Sequence, residues 1–171
     1  IIVVVINCID LIRKNKMIEL LMTSMLVWMG ANCDIDRIHP KHDPCKLNYN
    51  ISLPKVIFLP QKELKDKFYI NGAQAVGSNE RVDLYGFYIA RKKIIYLEDK
   101  WSVNVTEDIV TLFHELYHHV EFENYRTERC ISHREIPIEM FQNKYVKSLG
   151  KQIRRSAYLY DAPCNVYYKE L

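Results

Sequence analysis

The chain has 171 residues, of which 24 are Lys or Arg and 21 are Asp or Glu, so its formal net charge is +3 at pH 7. This length suffices for one domain with a hydrophobic core and is short for two domains of ordinary size. Because charges of both signs are interspersed, the composition predicts no strong field for nucleic acid or for an anionic membrane. We therefore expect one catalytic or binding domain without a nucleic-acid partner.

The N-terminal segment differs from the rest of the chain. The basic stretch RKNK at 13–16 precedes the apolar stretch MIELLMTSMLVWMGANC. A basic region followed by an apolar region and small residues is typical of a secretory signal. Glu19 interrupts the apolar run, which is short for a membrane span, so an uncleaved anchor and a buried N-terminal helix or strand are alternatives. We predict an exported protein in which residues 1–32 form a signal peptide or N-terminal anchor and residues 33–171 form the domain. Membrane contact is expected only through the first segment.

Four cysteines follow this segment: Cys33, Cys45, Cys130 and Cys164. An even number of cysteines in a small exported domain predicts two disulfides. Pairing Cys33 with Cys45 and Cys130 with Cys164 closes the shorter loops and is the most local arrangement. Four free thiols in a reducing compartment are the alternative. No spacing is CxxC, so a cysteine zinc site is not expected.

The segments after the first cysteines predict an α+β fold. PKVIFLP at 54–60 is a short apolar run between two prolines, which indicates a buried strand. QKELKDKFYI at 61–70 carries helix formers. LYGFYIARKKIIYLED at 84–99 contains two β-rich pieces joined at ARKK and predicts a hairpin. Gly86 in the first piece indicates either a bulge or a place where another backbone comes close.

Two amphipathic helices are predicted after the hairpin. The first begins at Thr106, which would be its N-cap, and the second covers 134–149 and stops at Gly150. Apolar residues repeat at helical spacing in both. In the first they are Ile109, Leu112, Phe113, Leu116 and Val120, and in the second Ile138, Phe141, Tyr145 and Leu149.

The first of these helices carries HELYHH at 114–119. His114 and His118 are four residues apart, so both imidazoles project from one face and can bind one ion. A catalytic zinc takes such a pair, a third protein ligand and a water, and Glu115 beside the first histidine is placed to act as general base and acid toward that water. His119 is rotated by about 100° from the ligand face, which predicts a polar supporting role.

The third ligand is expected from the part of the chain that follows His118. The candidates there are His133, Glu135 and Glu139. Ser132 and Glu135 form the pattern of a capping box, which gives Glu135 a structural explanation. We therefore predict Glu139 as the ligand, with Glu135 and then His133 as the alternatives. The metzincin continuation is absent.

HELYHH followed by a helical glutamate resembles the gluzincin zinc metallopeptidases over residues 84–149. The resemblance implies a zincin-like fold, in which a small antiparallel or mixed sheet with an edge hairpin packs on the HExxH helix and on a second helix bearing the glutamate. It also implies that His114, His118 and Glu139 bind zinc. In that family an acidic residue four positions after the ligand glutamate orients a zinc-bound histidine. Asn143 stands there, and its carbonyl oxygen can still accept from an imidazole N–H.

The combined prediction is a zinc-dependent peptide-bond hydrolase that acts on a peptide or protein substrate. One alternative is a zincin-like domain that binds zinc and serves one dedicated partner or has no turnover. A second alternative is a structural or partner-binding domain in which HELYHH is only a polar helix face.

Overall fold

A computed structural model describes residues 2–34, 43–70, 84–125 and 131–152. The helices and strands in these ranges, in chain order, are α1 (Ile2–Ala31), β1 (Lys55–Leu59), α2 (Gln61–Ile70), β2 (Gly86–Ile89), β3 (Ile94–Glu98), α3 (Thr106–Glu123) and α4 (Ile131–Ser148). Short 3₁₀ turns occur at Pro44–Lys46 and Ala90–Lys92. Four helices and three strands within the described part confirm the predicted α+β class.

The three strands form one mixed sheet in the order β1-β3-β2. β3 is parallel to β1, with Lys55 opposite Ile94, and antiparallel to β2, with Gly86 opposite Leu97. The β2–β3 pair confirms the predicted hairpin, and Lys93, which ends its connection, has a φ of 51°. In the sheet as described, β2 is an edge strand.

Gly86 lies where β3 and α3 leave no room for a side chain on β2. A Cβ atom at this position would lie 2.8 Å from Cδ2 of Leu97, 2.8 Å from Cγ2 of Thr111 and 2.9 Å from the carbonyl oxygen of Tyr96. Of the two predicted explanations for this glycine, close approach is therefore confirmed.

Helix α3 is the central element, because it contacts β2, β3, α1 and α4. Its five predicted apolar positions are all buried, as expected for a helix enclosed by neighbours. The predicted cap was wrong by one residue: Thr106 is the first helical residue, and Val105 occupies the cap position without a side-chain hydrogen bond. Asp108 instead ties the incoming loop to the helix, since its Oδ2 accepts from the Ser102 N–H at 2.8 Å.

Helix α4 begins at Ile131, earlier than predicted, and continues through Pro137. Three of its predicted core residues, Ile138, Phe141 and Tyr145, are buried. The prediction for Leu149 was wrong, because this residue follows the last helical residue and is 44% exposed, while Val146 is buried instead. Gly150 has a φ of 70° and ends the helix as predicted, with the Lys151 N–H donating to the Val146 carbonyl at 3.1 Å.

Helix α1 packs into the core through its second half. Ile18, Met22, Met25, Leu26 and Met29 are buried, and they belong to the same hydrophobic cluster as the core residues of α3 and α4. This packing matches the buried-helix alternative for the N-terminal segment, and the export signal stays a prediction. No helix in the described ranges combines the length and the apolar character needed to cross a membrane.

A disulfide joins Cys33 to Cys45, as predicted, and connects the end of α1 to the 3₁₀ turn at Pro44–Lys46. Lys144 on α4 fixes the same region, because its Nζ lies 2.6 Å from Oδ1 of Asp34. A disulfide fits an extracellular protein. The predicted partners Cys130 and Cys164 lie outside the described residues.

Candidate metal centre

The two histidines of the HExxH motif lie on successive turns of α3 and face α4. Their Nε2 atoms are 3.1 Å apart, and the ring planes are nearly perpendicular. The helical spacing therefore brings both imidazoles to one point, as the sequence predicted.

Glu135 of α4 completes this group from the opposite side. Its Oε2 lies 2.9 Å from Nε2 of His114, and its Oε1 lies 3.5 Å from Nε2 of His118. Two ligands that each lie about 2.1 Å from one tetrahedral ion are separated by about 3.4 Å. The observed separations of 2.9, 3.1 and 3.5 Å bracket that value, so His114, His118 and Glu135 could hold a metal ion.

The structure thus brings Glu135, and not the preferred Glu139, to the two imidazoles. Helix α4 begins at Ile131, which places Glu135 in its second turn, beyond the terminal N–H groups that a capping box would satisfy. The capping explanation that favoured Glu139 is therefore wrong. Glu139 is buried one turn farther along α4 and lies outside the ligand group. The side chain of His133, the third candidate, lies outside the described part of the chain.

The Nδ1 atoms of the two histidines face other polar side chains. Nδ1 of His114 lies 3.3 Å from Oε1 of Gln142, and Nδ1 of His118 lies 3.5 Å from Oε2 of Glu121. Sequence reasoning assigned the supporting role to Asn143, one position after Gln142. Glu121 was missed, although its i,i+3 spacing from His118 was a readable signal. Glu121 and Gln142 are both buried.

Charge in this buried group determines its protonation in the metal-free protein. Burial lowers the pKa of His114, but the hydrogen bond to Glu135, the charges of Glu135 and Glu115 and the contact with Gln142 outweigh it and raise that pKa from 6.5 to about 9. Burial likewise opposes ionisation of Glu135, yet the two imidazoles hold the pKa of its carboxyl well below the usual range. The metal-free group is therefore a His114–Glu135 ion pair, and a metal ion must displace the proton.

Glu115, the predicted general base, lies on α3 directly after His114 and is partly exposed. Its negative charge contributes to the raised pKa of His114, which places it within electrostatic reach of the ligands. Glu139 contributes a second carboxyl beside the site. Burial and the charge of Glu135 raise the pKa of Glu139, while His114 acts in the opposite sense. A partly exposed carboxyl, that of Glu115, and a buried one, that of Glu139, thus interact electrostatically with the candidate ligand His114.

His119 faces away from this group, toward the sheet. Its Nε2 lies 2.8 Å from the carbonyl oxygen of Ser52, and its Nδ1 lies 2.8 Å from the hydroxyl of Tyr88. A carbonyl only accepts, so Nε2 carries the proton and donates, and Nδ1 accepts from the tyrosine. His119 therefore has the polar supporting role that its rotation on the helix predicted. Its two hydrogen bonds connect β2 and the segment before β1 to α3.

Comparison with known proteins gives a family but no activity. The chain matches the family model described as a domain of unknown function, DUF6647, over residues 15–166. None of the curated proteins and none of the solved structures matches it. The matched region includes the buried half of α1, the whole described sheet and all three candidate ligands. Because the match covers most of its length, the chain belongs to the DUF6647 family.

Proposed function

We propose that this protein is a zinc-dependent hydrolase of peptide bonds, with zinc held by His114, His118 and Glu135. The observation that carries the proposal is the meeting of two Nε2 atoms and one carboxylate at 2.9 to 3.5 Å from one another. Two imidazoles and a carboxylate are a donor set that zinc accepts in catalytic sites. Structural zinc sites have four protein ligands, whereas three leave a position open for water or substrate.

A zinc ion bound here would supply a Lewis acid that polarises a substrate carbonyl and activates water. Glu115 then takes the proton of the attacking water and later delivers it to the leaving amine. Its place beside His114 and its partial exposure support this role, because a proton carrier must reach both the ligands and the substrate. Glu135 and the two histidines hold their positions while Glu115 moves the proton.

An extended peptide is the substrate that the neighbouring sheet favours. β2 is an edge strand of the described sheet and packs on α3, the helix that carries the site. The main-chain groups of an edge strand can hydrogen-bond to an extended peptide. This arrangement supports the assignment of peptide bonds, rather than another class of carbonyl compound, as the target.

One observation favours a structural alternative. The His114–Glu135 ion pair is complete without metal, because the carboxylate and the imidazolium neutralise each other. A buried ion pair of this kind can hold two helices together at modest net gain. In that case α3 and α4 would be joined by the pair, and HELYHH would have no catalytic role.

The test uses the purified full chain, its zinc content measured by elemental mass spectrometry and its hydrolysis of a peptide library. We expect one zinc per chain. Glu115→Gln should keep zinc and fold while losing on the order of a hundredfold or more of the hydrolysis, the scale of general base catalysis. Glu123→Gln is the matched control, because Glu123 lies on the same helix in an ion pair with Lys93 at 2.8 Å.

Each alternative has its own outcome in this experiment. A parent protein that binds no zinc supports the structural ion pair. A parent that binds zinc and hydrolyses no peptide supports a zinc-binding domain without general turnover. Equal hydrolysis by the parent and by Glu115→Gln would show that Glu115 is not the base.

A further inference from the structure

Both histidines of the site present Nε2 to the ligand group, although an imidazole can bind a metal through either nitrogen. The two Nδ1 atoms point outward to different partners. Gln142 on α4 lies within hydrogen-bonding distance of His114 at 3.3 Å. Glu121, on the same helix as the histidines, lies 3.5 Å from His118, a distance that suits an ion pair and is long for a hydrogen bond.

We propose that Glu121 and Gln142 are positioning residues that keep the proton of each histidine on Nδ1 and so present both Nε2 lone pairs to the metal. The inference rests on the metal-binding function proposed above. It assigns roles to two residues outside the ligand group itself.

The chemistry of the partners supports this assignment. An ionised carboxylate can only accept, so Glu121 favours an N–H at Nδ1 of His118. Gln142 turns its carbonyl oxygen toward Nδ1 of His114, which favours an N–H there as well. A neutral imidazole carries one proton, so fixing it on Nδ1 leaves the Nε2 lone pair free. Partners of this kind also orient the ring and raise its basicity as a ligand.

The two positioning residues differ in charge, and the difference predicts unequal effects. Glu121 is 3% exposed and bears a carboxylate, whereas Gln142 is 9% exposed and bears a neutral amide. A carboxylate attracts the positive charge that an imidazole gains on binding a metal more strongly than a neutral amide does, and a buried setting strengthens that attraction. His118 is therefore the better supported ligand, and loss of the Glu121 side chain should weaken zinc binding more than loss of the Gln142 side chain.

The experiment measures the zinc dissociation constant by chelator competition in the full chain and in three variants. Glu121→Ala should bind zinc about 10 to 100 times more weakly, the usual effect of losing such a partner. Gln142→Ala should show a smaller loss. Glu121→Gln should recover part of the affinity, since its amide oxygen still presents a negative dipole toward Nδ1 but carries no charge. Glu123→Ala, two residues from Glu121 and paired with Lys93, is the control and should bind as the parent does.

A spectroscopic readout separates positioning from a merely structural role. In the zinc-loaded parent, long-range ¹H–¹⁵N spectra of the histidine rings should place the proton on Nδ1 of both His114 and His118. The His118 Nδ1–H signal should move upfield in Glu121→Gln while the His114 signal stays in place. This variant keeps the shape of the side chain, so the shift can be read even if Glu121→Ala does not fold.

The outcomes distinguish this inference from the function on which it rests. A parent that binds no zinc overturns both. A parent that binds zinc, with Glu121→Ala binding equally well or with zinc on Nδ1 of either histidine, overturns only the positioning role. A lower melting temperature of metal-free Glu121→Ala with unchanged zinc affinity would assign Glu121 to the fold and would overturn the inference as well.

Discussion

The two faces of α3 hold neighbouring histidines in opposite chemical settings. His118 lies on the face toward α4, where acidic oxygens lie 3.5 Å from its two nitrogens, one from Glu135 of α4 and one from Glu121 of α3 itself. His119 faces the sheet, where a hydroxyl and a carbonyl lie 2.8 Å from its nitrogens. Adjacent residues of one type thus receive acidic partners on one side and neutral partners on the other. The first setting suits a cation, whereas the second is satisfied without one.

The energetic consequences follow from those partners. On the α4 face, the carboxylate of Glu135 raises the pKa of His114 to about 9 despite burial. On the sheet face, burial lowers the pKa of His119, and its neutral hydrogen-bond partners do not reverse the effect. Charged groups that are buried in the core must be paired with opposite charges or must bind an ion. A face that satisfies a neutral imidazole holds secondary structure together.

The largest expected effect separates the two faces directly. His118→Ala should lower zinc affinity by at least a hundredfold, because it removes a ligand, whereas loss of a residue that only supports a ligand costs about 10 to 100 times. His119→Gln should retain zinc with nearly the parent's affinity and should lower the melting temperature instead. Chelator competition and thermal melting of the two proteins check both statements. Equal loss of zinc from both variants would contradict the division of α3 into two faces.

A second comparison concerns Glu135 and Glu139, the two glutamates of α4 beside the candidate metal group. Glu135→Gln should weaken zinc binding by about a hundredfold or more, since it removes the charged oxygen that meets both imidazoles. Glu139→Gln should change it by about tenfold or less, because Glu139 acts on His114 only through its charge. Isothermal titration of metal-free protein provides the affinities. A large loss confined to Glu139→Gln would restore the ligand preferred from the sequence alone.

The sequence predicted which side of α3 carries the two histidines of the candidate metal group, because this signal is local. HExxH spacing on an apolar helical repeat places His114 and His118 on one side of α3, whatever packs against it. Two β-rich segments joined at ARKK likewise predicted the β2–β3 hairpin. Each of these features depends on residues that are close together in the chain.

The α4 residues that contact the two histidines, Glu135 and Gln142, could not be predicted from a local pattern. A helix advances by about 100° per residue, so the step from Asn143 to Gln142 changes which side chain reaches His114. The preference for Glu139 over Glu135 likewise depended on where α4 begins, since a capping box at Ser132 would assign Glu135 to the start of the helix. The register between two helices is set by packing across the core. Residue types within either helix do not determine it.

The N-terminal segment shows a different limit of sequence reasoning. An apolar run after basic residues fits a secretory signal, and an apolar helix packed in a core has the same composition. Met22, Met25 and Met29 lie on one side of α1 at helical spacing and are buried. Lys14 of the basic stretch also contacts the fold, since its Nζ donates to the carbonyl of Asp99 at 2.9 Å. These long-range contacts distinguish packing from signal composition, and local sequence contains neither of them.

The smallest expected effect is a pH dependence that differs between the two faces. In metal-free protein the folded pKa of His114, about 9, lies above its ordinary value of 6.5, so its stabilising contribution is complete below pH 6.5 and is lost as pH rises toward 9. The folded pKa of His119 lies below 6.5, so the unfolded chain takes up the proton first and stability falls as pH drops below 6.5. The Glu135 contribution is lost only below its ordinary pKa of 4.5, so it does not act in the range from 4.5 to 6.5 where His119 acts. Glu139, whose pKa is raised above 4.5, acts above 4.5 with the opposite sign, because the folded protein takes up its proton before the unfolded chain does.

Urea unfolding of metal-free protein between pH 5 and 9 measures both slopes, and each is at most about 1.4 kcal/mol per pH unit, the limit for one proton. His119→Gln should flatten the acid slope and keep the alkaline one, whereas Glu135→Gln should do the reverse. Zinc should abolish the alkaline slope, because a metal-bound imidazole has already lost the proton in question. An acid slope that persists in His119→Gln would show that the sheet face does not hold a neutral histidine. The two faces of α3 would then differ in metal binding alone.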